Sequence, residues 1–182
     1  MPIEHVIFDA FGTIVKRKKP FSLLRLRAHV PAQFDWDRAM LQSFDWSRAA
    51  EGTEYAKELQ EDLDGVQMFD DMPQAFEQLK TAGVSWSVMS NLASCYGPPL
   101  QKALSPFDPG QWFLSYENGM KKPNPDYYRY ALKALGFTKY PEKVVFIGDH
   151  ARHDVLGPAL EGMNALRVRR ENLSMAQLLN NI

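Results

Sequence analysis

The stretch from Ile3 to Val15 constrains the fold more than any other part of the chain. Within it, Val6-Ile7-Phe8 is a short apolar run, which is typical of a strand buried on both faces. Asp9 follows directly, and Gly12 then turns the chain. A buried strand that ends in a carboxylate places negative charge in the crevice where open α/β sheets bind ligands. A turn-capping role is the alternative interpretation of this aspartate.

From about residue 70, helical and strand patterns alternate along the chain. Apolar spacing and terminal proline or glycine residues predict helices over 70–82, 95–104, 124–135, a segment before Gly162, and 175–179. Strands are predicted over 84–89, 112–115, 143–147 and 165–168. Strands that are separated by helices form right-handed βαβ units in a parallel sheet. The sequence therefore predicts an α/β fold with a parallel sheet.

Residues 16–68 show a different pattern, with no convincing strand. Leucines from residue 23 to residue 26 predict a short helix that ends at Pro31. Two similar runs, Phe34–Ala39 and Phe44–Ala49, predict two helix starts capped by Asp or Ser. We therefore predict an all-helical insertion over 16–68, with residues 1–15 and 69–182 forming the α/β core domain. The basic cluster Lys16–Lys19 is interpreted as a solvated loop, with a phosphate-attracting rim as the alternative.

Composition excludes several classes of partner. The formal net charge is −1, whereas nucleic-acid or membrane-surface binding usually needs a basic excess, so neither partner is expected. No apolar run reaches the length of a membrane span, and no signal-peptide pattern is visible, so the cytoplasm is predicted. The single cysteine, Cys95, fits a reducing compartment and is interpreted as a packing residue. The oligomeric state stays open.

Polar residues follow three of the predicted strands. They are Asp9, Ser90-Asn91 and Gly148-Asp149. Because parallel strands bring their carboxyl ends to one edge, we expect these residues to converge there. Two facing carboxylates, Asp9 and Asp149, repel each other unless a cation or proton lies between them. Mg²⁺ suits this position, because it binds oxygen ligands and joins carboxylates to substrate phosphates.

Further charged and polar residues complete the predicted site. Lys122, which Pro123 follows, can neutralise charge gathered by a carboxylate, a metal and a phosphoryl group. Asp154 can orient a metal-bound water, hold Lys122 or cap a helix. Ser90 and Asn91 offer donors to anionic oxygens, as phosphoryl transfer requires.

Together these residues resemble a known family. The segments Phe8–Thr13, Ser90-Asn91, Lys122-Pro123 and Gly148-Asp149 with Asp154 are similar to the four ordered motifs of the haloacid dehalogenase-like (HAD) hydrolase superfamily. The resemblance implies a Rossmann-like parallel sheet sandwiched by helices. It also implies that the helical insertion after the first strand is a small C1-type cap.

The same resemblance implies roles for individual residues. Asp9 would be the nucleophile that forms an aspartyl intermediate, and Lys122 would steady it. The substrate, a small phosphorylated metabolite, would be bound by Ser90, Asn91 and Thr13. Mg²⁺ would be held by Asp9, the backbone carbonyl of Phe11 and Asp149, with Asp154 in support.

Phe11 departs from the family pattern, which usually has a second aspartate at this position as the general acid and base. Three interpretations stay open. The first is a phosphatase for good leaving groups, or one that uses His150 or His153 as proton carrier. The second is a 2-haloacid dehalogenase, in which Arg38 or Arg48 would bind the substrate carboxylate. The third is a catalytically weakened domain that binds a ligand or a partner.

Overall fold

The computed structural model describes residues 2–171 and 174–180. Within these residues, seven strands form two sheets. The strands are β1 (His5–Phe8), β2 (Val15–Arg17), β3 (Val66–Met68), β4 (Ser85–Ser90), β5 (Trp112–Leu114), β6 (Val144–Gly148) and β7 (Asn164–Arg167). The larger sheet has the order β5-β4-β1-β6-β7, and its neighbouring strands are all parallel. This arrangement confirms the predicted α/β class.

Helices lie between the strands and after the last of them. They are α1 (Trp46–Ala50), α2 (Ala56–Asp64), α3 (Met72–Ala82), α4 (Gly97–Ala103), α5 (Ser115–Asn118), α6 (Pro125–Leu135), α7 (Gly157–Leu160) and α8 (Met175–Leu179). A π-helical turn, Ala151–Leu156, precedes α7. Both α3 and α6 have proline in their first turn and end at a left-handed glycine, as predicted. In the described part of the chain, no helix has the length and apolarity that crossing a bilayer requires.

Alternate residues of the central strands enter two separate cores. Val6 and Phe8 of β1 pack into one core with α3, whereas Ile7 packs into the other with α6. Strand β6 shows the same alternation, since Val145 and Phe146 enter different cores. The sheet is thus covered by helices on both faces, which explains why its strands are continuously apolar. This is the predicted helix–sheet–helix sandwich.

The prediction that residues 16–68 contain no strand is wrong at both ends of this segment. Strands β2 and β3 pair antiparallel, with Val15 opposite Met68 and Arg17 opposite Val66. Each strand has three residues and becomes a strand only by pairing with a distant segment, so local spacing does not reveal it. The helix predicted before Pro31 is only a 3₁₀ turn, Leu23–Leu26.

Aromatic side chains hold the segment between these strands together. Asp35 and Asp45 cap the two predicted helix starts by accepting from the backbone N–H groups of Asp37 and Arg48. The aromatic rings beside them form one cluster of Phe34, Trp36, Phe44 and Trp46, with centroids 4.5–5.8 Å apart. Such pairs stabilise a segment that has little regular structure. The division into a core and a cap remains a prediction.

Candidate active site

Asp9 lies where β1 ends, at the carboxyl edge of the sheet. Its backbone N–H donates to the carbonyl of Ile147 at 2.9 Å, which extends the ladder between β1 and β6. The Thr13 hydroxyl is 3.4 Å from Asp9 Oδ2. Gly12 has a φ of +81°, and a Cβ at this residue would overlap the Asp149 carboxylate. The glycine turn therefore lets Asp149 approach the loop after Asp9.

Lys122 lies between two carboxylates and is buried. Its Nζ donates to Asp9 Oδ1 at 2.7 Å, to Asp154 Oδ1 at 2.7 Å and to the Met89 carbonyl at 3.1 Å. All three donors of the ammonium are thus used. The Nζ also lies 5.1 Å from the centroid of the Phe146 ring. The position agrees with the predicted role of Lys122 as a charge partner of Asp9.

Asn91 fixes the backbone of Lys122. Its Nδ2 donates to the Lys122 carbonyl at 2.8 Å, and its Oδ1 accepts from the Lys122 N–H at 2.8 Å. The peptide bond between Lys122 and Pro123 is cis. Asn91 was predicted to bind substrate; its amide oxygen and one amide N–H position the lysine, and the second N–H has no partner among the described residues. The sequence does not reveal this pairing, because the two residues are 31 positions apart.

Ser90, the last residue of β4, offers a hydroxyl beside Asn91. The residue is buried. Within residues 2–171 and 174–180, its hydroxyl has no side-chain or backbone hydrogen-bond partner. A nearby hydroxyl, that of Ser115, is used structurally and accepts from the Leu92 N–H at 3.1 Å. Ser90 is therefore the better placed of the two to bind an external group.

Three carboxylates converge at this edge of the sheet. Oxygens of Asp9, Asp149 and Asp154 all lie within 4.8 Å of one another. Asp154 also accepts from the His150 N–H at 2.9 Å, and Gly148 has no Cβ at the place where the Asp154 side chain packs. Arg167 Nε donates to the Asp149 carbonyl at 2.9 Å and fixes that backbone. The predicted convergence of the strand ends is therefore observed.

The electrostatics of the cluster favour a bound cation. Burial and repulsion by Asp154 and Asp149 raise the pKa of Asp9 to about 6, although Lys122 opposes this shift. Burial and repulsion by Asp154 also raise the pKa of Asp149. Burial lowers the pKa of Lys122, but the charges of Asp9 and Asp154 outweigh it and raise the pKa overall. The oxygen donors fit Mg²⁺, and Asp149 is the exposed carboxylate of the three.

Phe11 forms part of the wall of a cavity of about 680 Å³. Its ring contacts that of Tyr96 edge to face, with centroids 5.7 Å apart. Asn91 lines the same cavity, so the cavity opens beside the loop that follows Ser90. The phenyl group has no proton to transfer, and the predicted loss of a general acid at this position therefore stands.

The two histidines near Asp149 are tied into the local structure. Their rings are stacked, with centroids 3.9 Å apart. His150 Nδ1 accepts from the N–H groups of Arg152 and His153, which caps the π-helical turn. Burial and the neighbouring His150 lower the pKa of His153. The capping bonds explain the presence of His150 without a catalytic role.

The structure also bears on the predicted roles of Arg38, Arg48 and Cys95. Arg38 and Arg48 are exposed, and neither lines the cavity beside Phe11. Cys95 is half-buried, and burial raises the pKa of its thiol to about 12, which agrees with a packing role.

Arg17 is a residue whose position the sequence did not reveal. It was assigned to a solvated basic loop, but it lies on β2 and lines the cavity. Its Nη1 donates to Oδ2 of the buried Asp62 at 3.0 Å, and its guanidinium carbon lies 4.9 Å from the Tyr96 ring centroid. The solvated-loop interpretation is therefore wrong for Arg17, because a carboxylate 45 positions away holds it against the aromatic wall.

Comparisons with known proteins agree with this fold. A curated relative, the glyceraldehyde 3-phosphate phosphatase of Methanopyrus kandleri, is 39% identical over 57 residues, which are 31% of this chain and only 24% of the relative. A dehalogenase crystal structure shares 21% identity with a TM-score of 0.68, covering 99% of this chain and 97% of its own. A HAD family enzyme from Bacteroides thetaiotaomicron, in complex with magnesium and inorganic phosphate, shares 14% identity with a TM-score of 0.70, covering 92% and 95%.

At these identities, the two structures show the fold alone. The profile of the haloacid dehalogenase-like hydrolases matches residues 3–160, a range that includes every predicted site residue. The chain therefore belongs to the haloacid dehalogenase-like hydrolase family.

Proposed function

We propose that this hydrolase is a Mg²⁺-dependent enzyme that removes phosphate from a small phosphorylated metabolite. The observation that carries the proposal is the cluster of Asp9, Asp149 and Asp154 around one buried lysine. A phosphoryl-transfer site needs this combination of a nucleophile, a cation site and a fixed positive charge. The Methanopyrus relative, a phosphatase, and the Bacteroides enzyme, which binds magnesium and inorganic phosphate, agree with it.

Asp9 is the proposed nucleophile. One of its carboxylate oxygens forms a bond to phosphorus while the bond from phosphorus to the leaving oxygen breaks, and water later hydrolyses the aspartyl phosphate. Lys122 keeps Asp9 ionised and oriented through its 2.7 Å hydrogen bond. The hydroxyl of Ser90 binds a phosphoryl oxygen, with Asn91 and Thr13 in support.

Asp9, the carbonyl of Phe11 and Asp149 would hold Mg²⁺, with Asp154 in support. When bound, the ion neutralises charge on the carboxylates and on the phosphoryl oxygens. Residues 16–68 form the proposed cap, which covers the leaving group. A small-molecule substrate and a reducing compartment such as the cytoplasm complete the proposal.

The leaving group must depart without a proton from Phe11. We therefore expect substrates whose leaving oxygen is weakly basic, such as aryl or acyl phosphates. Loss of a positioned acid costs roughly 10²–10⁴-fold in rate, and this penalty falls mainly on poor leaving groups.

The test is phosphate release from a generic aryl phosphate, with and without Mg²⁺. We expect release only with Mg²⁺, and none from Asp9→Asn. Asp70→Asn is the matched control, because the Asp70 side chain is almost fully exposed and lies outside the cluster. Release that is unchanged in Asp9→Asn, or no release by the unmodified protein, would remove the proposal.

A 2-haloacid dehalogenase is the second candidate. It is favoured by Phe11, since displacement of halide needs no proton, and by the apolar cavity beside it. Release of halide from 2-chloropropionate without added metal would support this activity. If neither phosphate nor halide is released, the remaining candidate is a weakened HAD domain that binds a ligand or partner, and Phe11→Asp then tests whether only a proton carrier is missing.

A further inference from the structure

The cavity beside Phe11 combines aromatic walls with one held cation. Five aromatic side chains line it together with a guanidinium, namely Phe11, Phe21, Trp36, Trp46, Tyr96 and Arg17. Aromatic walls of this kind bind flat apolar groups, and a few placed polar groups then fix the orientation of the ligand. Lys121 and Asp37 also line the cavity, but they are exposed and carry opposite charges.

Arg17 is held in place from three sides. Its Nη1 is paired with Asp62, and its guanidinium lies 4.9 Å from the Tyr96 ring centroid and 5.9 Å from that of Phe11. Asp62 Oδ2 also accepts from the Tyr96 hydroxyl at 2.7 Å and from the Phe21 N–H at 2.9 Å. Such a network preorganises the guanidinium before any ligand arrives.

Part of this guanidinium is free to bind a ligand. Over the residues that the structure describes, Nη1 is the one Arg17 side-chain nitrogen with a hydrogen-bond partner, and 27% of the side chain is exposed. The remaining N–H groups match the two oxygens of a planar carboxylate. A dianion fits less well, because Asp62 already offsets part of the positive charge.

We propose that this cavity binds the leaving part of the substrate, an aromatic ring that carries a carboxylate, and that Arg17 selects for the carboxylate. The proposal deepens the proposed function and rests on it for the reaction, but ligand binding in the cavity does not depend on catalysis. Arg17 is thus a specificity residue.

Binding is measured by calorimetry with two product mimics, 4-hydroxybenzoate and phenol. We expect the unmodified protein to bind 4-hydroxybenzoate at least about tenfold more tightly, as a charge-assisted pair provides. The variant Arg17→Gln/Asp62→Asn removes both charges, while Asn retains an acceptor for Tyr96 and Phe21, and it should bind both compounds alike. Arg27→Gln, an exposed change outside the cavity, should keep the preference.

Arg17→Lys is the second variant, should the double variant fail to fold. It keeps the charge but loses the two-pronged geometry, so the preference should fall severalfold. A preference that is undiminished in both variants, or failure of the unmodified protein to bind 4-hydroxybenzoate, would overturn the inference.

The same proteins are then assayed with 4-carboxyphenyl phosphate and phenyl phosphate. Binding without phosphate release would leave the inference standing and remove the proposed function. Phosphate release without any preference for the carboxylate would remove the inference and leave the proposed function standing.

Discussion

The ammonium of Lys122 donates to Asp9 at 2.7 Å, although the two residues are 113 positions apart in the chain. The same ammonium contacts Asp154 at 2.7 Å, so one positive charge offsets two buried negative charges. The exposed carboxylate of Asp149 adds a third negative charge nearby. The imbalance explains why this edge of the sheet is suited to bind a further cation.

Replacement of Lys122 by Met should strongly destabilise the fold. Removal of one partner from a buried ion pair leaves uncompensated charge, which costs about 3–5 kcal/mol. Urea denaturation at neutral pH measures this loss in the free energy of unfolding. The neighbouring change Lys121→Met is the control, because Lys121 is exposed and should shift stability by no more than about 0.5 kcal/mol. Equal stability of the two variants would contradict the ion-pair interpretation.

Mg²⁺ should raise the melting temperature of the protein, because a ligand that binds only the folded state stabilises it. At a hundredfold excess over the dissociation constant, the gain is about 2.7 kcal/mol. Asp149→Asn should abolish this gain, yet it should not lower stability without Mg²⁺, since it removes a repelling charge. Thermal unfolding with and without Mg²⁺ checks both parts, and Asp70→Asn should respond like the unmodified protein.

Phe11→Asp should extend hydrolysis to poor leaving groups. An added carboxyl group can protonate the leaving oxygen, so we expect a gain of about 10²–10⁴-fold on an alkyl phosphate. Phe11→Asn is the matched control, because it has a similar shape without the titrating group. The ratio of kcat/KM for alkyl and aryl phosphates is the measurement. An equal gain in both variants would mean that space, and not proton transfer, limits the reaction.

His5 should make stability depend on pH. It is buried between Ser85 and Ser87, whose hydroxyls lie 2.6 and 2.8 Å from its ring nitrogens, and burial lowers its pKa to about 4. At a pH between about 4 and the ordinary pKa of 6.5, His5 is protonated in the unfolded chain but neutral in the folded protein. The free energy of unfolding should therefore fall by up to about 3 kcal/mol as the pH drops through this window.

Urea denaturation at neutral pH and at about pH 4.5 measures this effect. His5→Gln should lose less stability on acidification than the unmodified protein. The exposed His29→Gln should behave like the unmodified protein, and an identical pH dependence in all three would refute the assignment.

The sequence alone determined the strand ends and the order of the charged groups. Val6-Ile7-Phe8 before Asp9 and the apolar β6 before Asp149 are local patterns, and a parallel sheet necessarily brings their carboxyl ends to one edge. The family motifs rest on the same short segments. These features could be predicted because each depends on neighbours within a few positions.

Only the tertiary structure decided how distant groups pair. It placed Asn91 on the backbone of Lys122, joined β2 to β3, and moved Arg17 from an expected solvated loop to the wall of an aromatic cavity. Each of these contacts joins segments 31 or more positions apart, and each forms because packing brings a donor and an acceptor together. Local periodicity does not predict such contacts, since they stabilise the fold only when both partners are buried in the same place.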